Sequence, residues 1–501
     1  MKKAVLAIDQ GTTGCTALVM DHDGAVIGRA YAEITQHYPE PGWVEHDPEE
    51  IWRVSLEVVG EALEAAALPA DGLAAVGITN QRETTVVWDR ATGEPLHRAV
   101  VWQSRQTADI CENLRANGLE PLIRDRTGLV VDPYFSGSKA QWILDRYPDA
   151  RERAAAGELL FGTIDTWLLY RLTGGEVHAT EPTNASRTLL YDIHQQRWDP
   201  ELLGIFGVPE AMLPHVRPSA EVFGLTRPSG ALPGGVPVAG IAGDQQAALY
   251  GQGCWHPGMV KNTYGTGCFV MLNTGAEPYT STCGLLTTIC CDAHGRPAYA
   301  LEGSVFTTGA AVQWLRDEMG LIETASETEE VARRVHDTQG VYMVPAFAGL
   351  GAPYWDMHAR GAIVGLTRGS GREQIIRAAL DSIAYQTRDV VEAMNCDAGV
   401  PVSELRADGG ASANDQLMQF QADILDIPVV RPKLVETTAA GAAYLAGLGS
   451  GFWRDPEELE GAWQRDQSFT PEMDATDRER LYTGWRRAVA QVRSDRREDT
   501  W

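Results

Sequence analysis

The stretch from Ala4 to Gly24, AVLAIDQGTTGCTALVMDHDG, sets the frame for the rest of the chain. Its apolar run Ala4 to Ile8 reads as a buried strand, Asp9 to Gly14 as a polar Gly/Thr turn, and Thr16 to Met20 as a second strand. Asp21-His22-Asp23-Gly24 then turns the chain into a third strand, so the opening is a β-meander. Its first bend puts the Asp9 carboxylate and the Thr12 and Thr13 hydroxyls at a strand end, where phosphate and a magnesium ion can be held together. A simple Asp-Gly hairpin turn is the plain alternative, and this motif alone leaves it open.

The same grammar returns further along. Val86-Val87-Trp88 runs into Asp89 to Gly93, and Thr288 to Cys291 runs into Asp292 to Gly295. A second Gly/Thr turn, Asn262-Thr263-Tyr264-Gly265-Thr266-Gly267, feeds the apolar run Cys268 to Leu272, so the second half also opens on a polar bend between strands. That points to a duplicated α/β domain. A chain of 501 residues exceeds what one core usually serves, and two domains of roughly 200 to 250 residues with a cleft between them are expected. We expect them over 1–250 and 251–501, with the change near Gly251 to Gly258 and Thr226 to Pro237, rich in Pro and Gly, as a surface loop. Asp47-Pro48-Glu49-Glu50 and Asp455-Pro456-Glu457-Glu458 read as helix starts, and Arg486 to Trp501 as a charged helix with a loose end.

With 44% hydrophobic residues and 14 Trp, the chain has ample material for two cores. Lys and Arg number 42 against 68 Asp and Glu, a formal charge of −26, which argues against nucleic acid or anionic lipid as the main partner. An anionic ligand must then be held locally, by backbone amides, hydroxyls and a metal ion. The eight cysteines show no C-x-x-C pair, and free thiols in a reducing compartment are expected. The run Ala4 to Ile8 is too short for a signal-peptide core and no stretch reaches membrane-spanning length, so a cytoplasmic location without membrane insertion is expected.

Two polar clusters interrupt apolar strand material. Asn80-Gln81-Arg82-Glu83 follows Val76-Gly77-Ile78, and its adjacent donor and acceptor suit a vicinal diol, with an exposed ion pair as the alternative. Gly240 to Leu249 holds one carboxylate, Asp244, among small apolar residues at a loop-to-helix transition. A desolvated Asp there can serve as general base, as helix N-cap, or as both. Trp102, Tyr134 and Phe269 adjoin such polar segments and could wall the carbon side of a polyol, although most aromatics are core. In Arg406 to Ser412 the glycines Gly409 and Gly410 would let backbone approach a base or ribose, or simply form a strand-to-helix turn. No histidine pattern has metal-ligand spacing.

Taken together, these turns resemble the actin-like ATPase superfold (ribonuclease H-like domains), and more narrowly the FGGY family of carbohydrate kinases, in its glycerol kinase branch. The stretches that carry the resemblance include Asp9 to Thr13 (DQGTT), Pro41 to Pro48 (PGWVEHDP), Gly77 to Thr85 (GITNQRETT) and Phe161 to Leu168 (FGTIDTWL). Thr183 to Thr188 (TNASRT), Gly240 to Ala248 (GIAGDQQAA), Asn262 to Phe269 (NTYGTGCF) and Gly349 to Asp356 (GLGAPYWD) extend it. The resemblance implies two duplicated actin-like domains around a catalytic cleft, with ATP and Mg²⁺ as cofactors and glycerol as substrate. It implies glycerol contacts from Arg82, Glu83, Trp102, Tyr134, Asp244, Gln245 and Phe269, with Asp244 as base. It implies nucleotide contacts from Thr12, Thr13, Gly14, Thr266, Gly309, Gln313, Gly410 and Asn414, and a metal-side carboxylate at Asp9. A homodimer or homotetramer is a further implication.

The chain departs from the family pattern at Gly14-Cys15-Thr16, where many members carry two serines and an arginine, and Thr226 to Pro237 has no lysine for a sugar-bisphosphate effector. A kinase for another small polyol or ketose, or a nucleotide-binding regulator without turnover, are the competing expectations.

Overall fold

In the computed structural model, which describes residues 3–69, 71–335, 337–398 and 401–494, the opening meander forms as three antiparallel strands, Ala4–Gln10, Gly14–Asp21 and Val26–Glu33. Leu73–Asn80 lies parallel beside the first of them, with Ile8 opposite Ile78 and Asp9 opposite Thr79, and Pro237–Gly243 lies parallel beside that. Gly224–Leu225 closes this six-stranded mixed sheet at its edge.

The second half repeats the plan. Val260–Tyr264 is antiparallel to Cys268–Gly275 and parallel to Leu405–Asp408, which is followed outward by Val429–Pro432 and an antiparallel Arg465–Phe469. On the other side Pro297–Val305 and Leu286–Cys291 extend the meander to give a seven-stranded sheet. The chain is thus a two-domain α/β protein with two mixed sheets of shared topology. In both, the central strand ends at the Gly/Thr bend read from the sequence.

The run Ala4 to Ile8 is apolar at every position because both faces of its sheet are covered. On one face Ala4, Leu6 and Ile8 meet Ile51, Val54 and Val58 of the helix Pro48–Ala66 and Trp167 and Leu168 of Ile164–Leu172. On the other, Val5 and Ala7 share a core with Ala439, Ala442, Ala443 and Ala446 of the helix Thr437–Ser450. That helix comes from the last quarter of the chain, and it approaches so closely that glycine is needed. A Cβ on Gly77 would stand 2.3 Å from the Ala442 carbonyl oxygen, one on Gly240 2.2 Å from the Ala446 nitrogen, and one on Gly441 1.9 Å from the Ala247 oxygen.

Asp47 caps its helix, accepting from the Glu49 N–H at 2.9 Å with Pro48 in the first turn. The second such signal yields only the single turn Glu457–Glu460. The C-terminal helix runs Ala475–Val492 with Asp474 as cap, and residues 495–501 of the expected tail lie outside the described residues. The expectation of free thiols throughout is corrected: Cys283 and Cys396 are joined in a disulfide, while the other six cysteines are free and buried. The pair is 113 positions apart, so only tertiary structure brings it together. Among the described residues no helix is long and apolar enough to cross a membrane.

Candidate active site

Two strands of the first sheet end side by side and deliver the polar clusters. After Leu73–Asn80 the chain places Arg82 and Glu83 fully inside the protein, at 2% and 1% exposure, which excludes the exposed-ion-pair reading. Glu83 holds φ at +60°, and its carbonyl accepts from Thr85 and Ser136 hydroxyls at 3.0 Å each. A non-glycine residue kept in that region costs on the order of 1–3 kcal/mol and is retained where surrounding structure imposes it. Pro237–Gly243 delivers Asp244 as the first residue of the helix Asp244–Gly251, with Gly243 rather than Asp244 at the cap position. A Cβ on Gly243 would lie 2.8 Å from the Arg82 side chain, so the glycine lets Arg82 cross the helix start.

These side chains converge. Arg82 Nε lies 3.2 Å from Asp244 Oδ1, and its Nη2 donates to Tyr134 Oη at 3.4 Å. The guanidinium sits 5.8 Å from the Phe269 ring centre, and the Trp102 ring lies 5.5 Å from Tyr134 and 6.3 Å from Phe269. Trp102 Nε1 donates to Thr12 Oγ1 at 2.8 Å, joining the aromatic wall to the first Gly/Thr bend. Gln245 Oε1 accepts from Lys261 Nζ at 2.6 Å, a contact from the second sheet.

The Gly11–Thr12 bend is held from behind by His46. Gln81 Nε2 donates to His46 Nδ1 at 3.2 Å and to the Gly11 carbonyl at 3.2 Å. Gln36 accepts from His46 Nε2 at 2.8 Å and donates to the Thr12 carbonyl at 2.8 Å. Burial pushes the His46 imidazolium down to about 4, so the ring is neutral and can accept on Nδ1.

Sequence reasoning missed Glu302, Arg187 and Lys261. Glu302 takes Arg82 Nη1 at 2.5 Å and Nη2 at 3.1 Å, and Arg187 Nη2 at 2.9 Å. Arg187 Nε meets Glu83 Oε1 at 2.6 Å. Glu302 is the lone charge in the strand Pro297–Val305, so the criterion that singled out Arg82 and Glu83 could have found it. Burial raises the Glu302 carboxyl, but Arg187 and Arg82 outweigh it and hold the group down at about 2. Burial lowers Lys261 to about 8 against the pull of Asp408 and Asp244.

Burial raises the Asp244 carboxyl, with Arg82 and Lys261 opposing. Asp9, at the end of its strand, is pushed to about 7 by burial and then by the neighbouring Asp244. A buried carboxylate whose proton affinity is raised further by a neighbouring one is a hard oxygen donor suited to a divalent cation, so the donor chemistry at Asp9 fits Mg²⁺.

A cavity of about 390 Å³ in the second half gathers Thr266, Gly309, Gln313, Gly410 and Asn414 with Val312, Leu380 and Ile383. Gly309 is packed so that a Cβ would stand 2.5 Å from the Gly265 oxygen, whereas nothing lies within 4 Å of one on Gly410. Asn414 caps the helix Asp415–Leu425, accepting from the Leu417 N–H at 3.0 Å. Thr12, Thr13 and Gly14 do not line this cavity but sit at the first bend, where Thr13 is exposed and Gly14 is buried against Tyr31 and Ala32. A larger cavity of about 610 Å³, lined by Lys3, Asp21, His22 and Asp23 among others, gathers none of the site residues.

The N-terminal domain of the FGGY family of carbohydrate kinases matches residues 4–251, and the C-terminal domain matches residues 260–450. A glycerol kinase of Carboxydothermus hydrogenoformans is 58% identical over 492 residues, covering 98% of both chains. One from Shewanella sp. (strain MR-4) is 59% identical over 493 residues, covering 98% of this chain and all of its own. Among solved structures, Plasmodium falciparum glycerol kinase with ADP superposes with a TM-score of 0.91 at 35% identity, covering 98% of each chain.

Proposed function

Because the chain belongs to the FGGY family of carbohydrate kinases, we propose that it transfers the γ-phosphoryl group of ATP to a primary hydroxyl of glycerol, giving ADP and sn-glycerol 3-phosphate. The observation that carries this reading is the convergence of Arg82, Glu83 and Asp244 beside the aromatic rings of Trp102, Tyr134 and Phe269, which brings polar groups and ring faces together. Relatives of the same name at 58–59% identity support the substrate.

Glycerol's carbons would lie on the aromatic rings, and its hydroxyls would meet Arg82 as donor, Glu83 as acceptor and Gln245 beside them. Asp244, whose side chain keeps 26% exposure, accepts the proton of the attacking hydroxyl. Arg82 at 3.2 Å and the Lys261 charge favour its ionised form and oppose the rise that burial imposes. The nucleotide base occupies the cavity of Gly309, Gln313, Gly410 and Asn414, with the phosphates between the bends of Thr12, Thr13 and Gly14 on one side and Thr266 on the other. Asp9 would hold Mg²⁺, which when bound would neutralise phosphate charge. Positioning and charge neutralisation are what phosphoryl transfer chiefly requires. On this reading residues 1–250 mainly bind glycerol and 251–501 mainly bind nucleotide, in a cytoplasmic homodimer or homotetramer.

The test is ADP release with Mg·ATP and a panel of glycerol, dihydroxyacetone, erythritol and D-xylulose. Glycerol should be preferred, and Asp244→Asn should lower its turnover by about 10²–10⁴-fold while ATP still binds. Preference for a longer polyol, or unchanged turnover in the variant, overturns the reading.

A further inference from the structure

Four side chains hold Arg82. Its Nε faces Asp244, its Nη1 reaches Glu302 and Gln246 Oε1 at 3.2 Å, and its Nη2 reaches Glu302 and Tyr134. Glu302 therefore grips the guanidinium fork with both oxygens, and its Oε1 also accepts from Arg187 and from Ser304 Oγ at 3.3 Å. Arg187 spans the two carboxylates, Glu83 through Nε and Glu302 through Nη2, with its guanidinium 5.5 Å from the Tyr134 ring centre and 5.2 Å from that of Phe135. The side chains of Arg82, Glu83, Arg187 and Glu302 are each at most 2% exposed.

Two positive and two negative charges buried together are weak evidence of stability, because apolar residues of similar volume often do as well. Their geometry is more informative. The bidentate grip fixes the plane of Arg82, and Arg187 fixes the Glu83 carboxylate, the two groups that face the diol. Glu302 is carried by the strand Pro297–Val305 of the second sheet, whereas Arg82, Glu83 and Arg187 all come from the first half of the chain.

We infer that Glu302 and Arg187 are positioning residues for glycerol, and that the carboxylate of the second domain fixes the first-domain groups that face the diol. The glycerol site is then formed only when the halves are docked. This rests on reading the pocket as the glycerol site, and the experiment separates the two: wild-type protein inactive on glycerol removes that reading, whereas wild-type activity with unaltered variants removes only this inference.

The measurement is KM and kcat for glycerol and for ATP, with glycerol binding by calorimetry, on Glu302→Gln, Glu302→Asp and Arg187→Lys. Loss of orientation by a fraction of an ångström to about 1 Å can cost up to about 100-fold. Glu302→Gln should raise the glycerol KM at least about tenfold while the ATP KM stays within about twofold. Glu302→Asp restores the charge with a shorter stem and should recover part of the affinity. A purely packing role predicts the reverse order, with the isosteric Gln better than Asp. Glycerol KM unchanged in Glu302→Gln, or Gln outperforming Asp, overturns the inference. If Glu302→Gln does not fold, Arg187→Lys decides it, since loss of the fork must raise the glycerol KM at least about tenfold with the ATP KM held.

Discussion

His46 shows how a residue outside the proposed reaction can set its geometry. Neutral, it accepts from Gln81 on Nδ1, and through Gln81 and Gln36 it braces the Gly11 and Thr12 carbonyls. Burial lowers its folded pKa to about 4, below the ordinary 6.5, so between those values the unfolded chain binds more protons than the folded one. Stability contributed by this ring is present above pH 6.5 and is lost as pH falls toward 4, by about 3 kcal/mol at most. Chemical denaturation across that window should give a shallower pH slope for His46→Gln than for wild type, by up to one proton. Equal slopes would show that the ring does not titrate differently in the two states. At this scale the sequence was legible where a charge broke an apolar run, as at Arg82, Glu83 and Asp244. It was silent on which charges meet, because Glu302 lies 220 positions from Arg82 and Arg187 lies 104 from Glu83.

Among elements, the meanders could be read in advance because short apolar runs and Asp/Gly bends are local signals. The helix Thr437–Ser450 carries no such signal: TTAAGAAYLAGLGS is small and apolar around its whole circumference, which is a consequence of burial against both the first sheet and the helix Asp244–Gly251. Its glycines separate local propensity from packing. Gly204, exposed in the helix Pro200–Phe206 with nothing within 4 Å of a Cβ, should gain about 0.5–1 kcal/mol on Gly204→Ala. Gly441→Ala has the same gain in propensity but places a methyl 1.9 Å from the Ala247 oxygen, and a net loss of about 1–3 kcal/mol is expected. Urea unfolding of the two variants checks both signs, and a stabilised Gly441→Ala would contradict the close approach. The Asp244 carboxylate shows the limit of local reading in the other direction. The residues announced a helix start at the right place, but the cap is Gly243, and the carboxylate faces Arg82 instead.

For the whole molecule the formal charge of −26 is a property of the surface field. Self-repulsion opposes compactness and is screened by salt, whose Debye length falls from about 30 Å at 0.01 M to about 8 Å at 0.15 M. The melting temperature should therefore rise over that range of NaCl, and a flat or falling trend in a thermal scan would show that attractive surface ion pairs, which salt also screens, offset the repulsion. Duplication of the sheet was legible from two Gly/Thr bends in the two halves, whereas the docking of one half on the other was not, since it depends on glycine-to-backbone approaches between residues such as Gly77 and Ala442. That docking also has a consequence for synthesis on the ribosome. The face of the first sheet bearing Val5, Ala7, Ala75 and Ala239 is covered by residues 437–450, which emerge nearly 200 residues after its last strand. At about 5–20 residues per second, that apolar face stays uncovered on a nascent chain for roughly 10–40 s, the period in which a chaperone that holds apolar sheets has its opportunity.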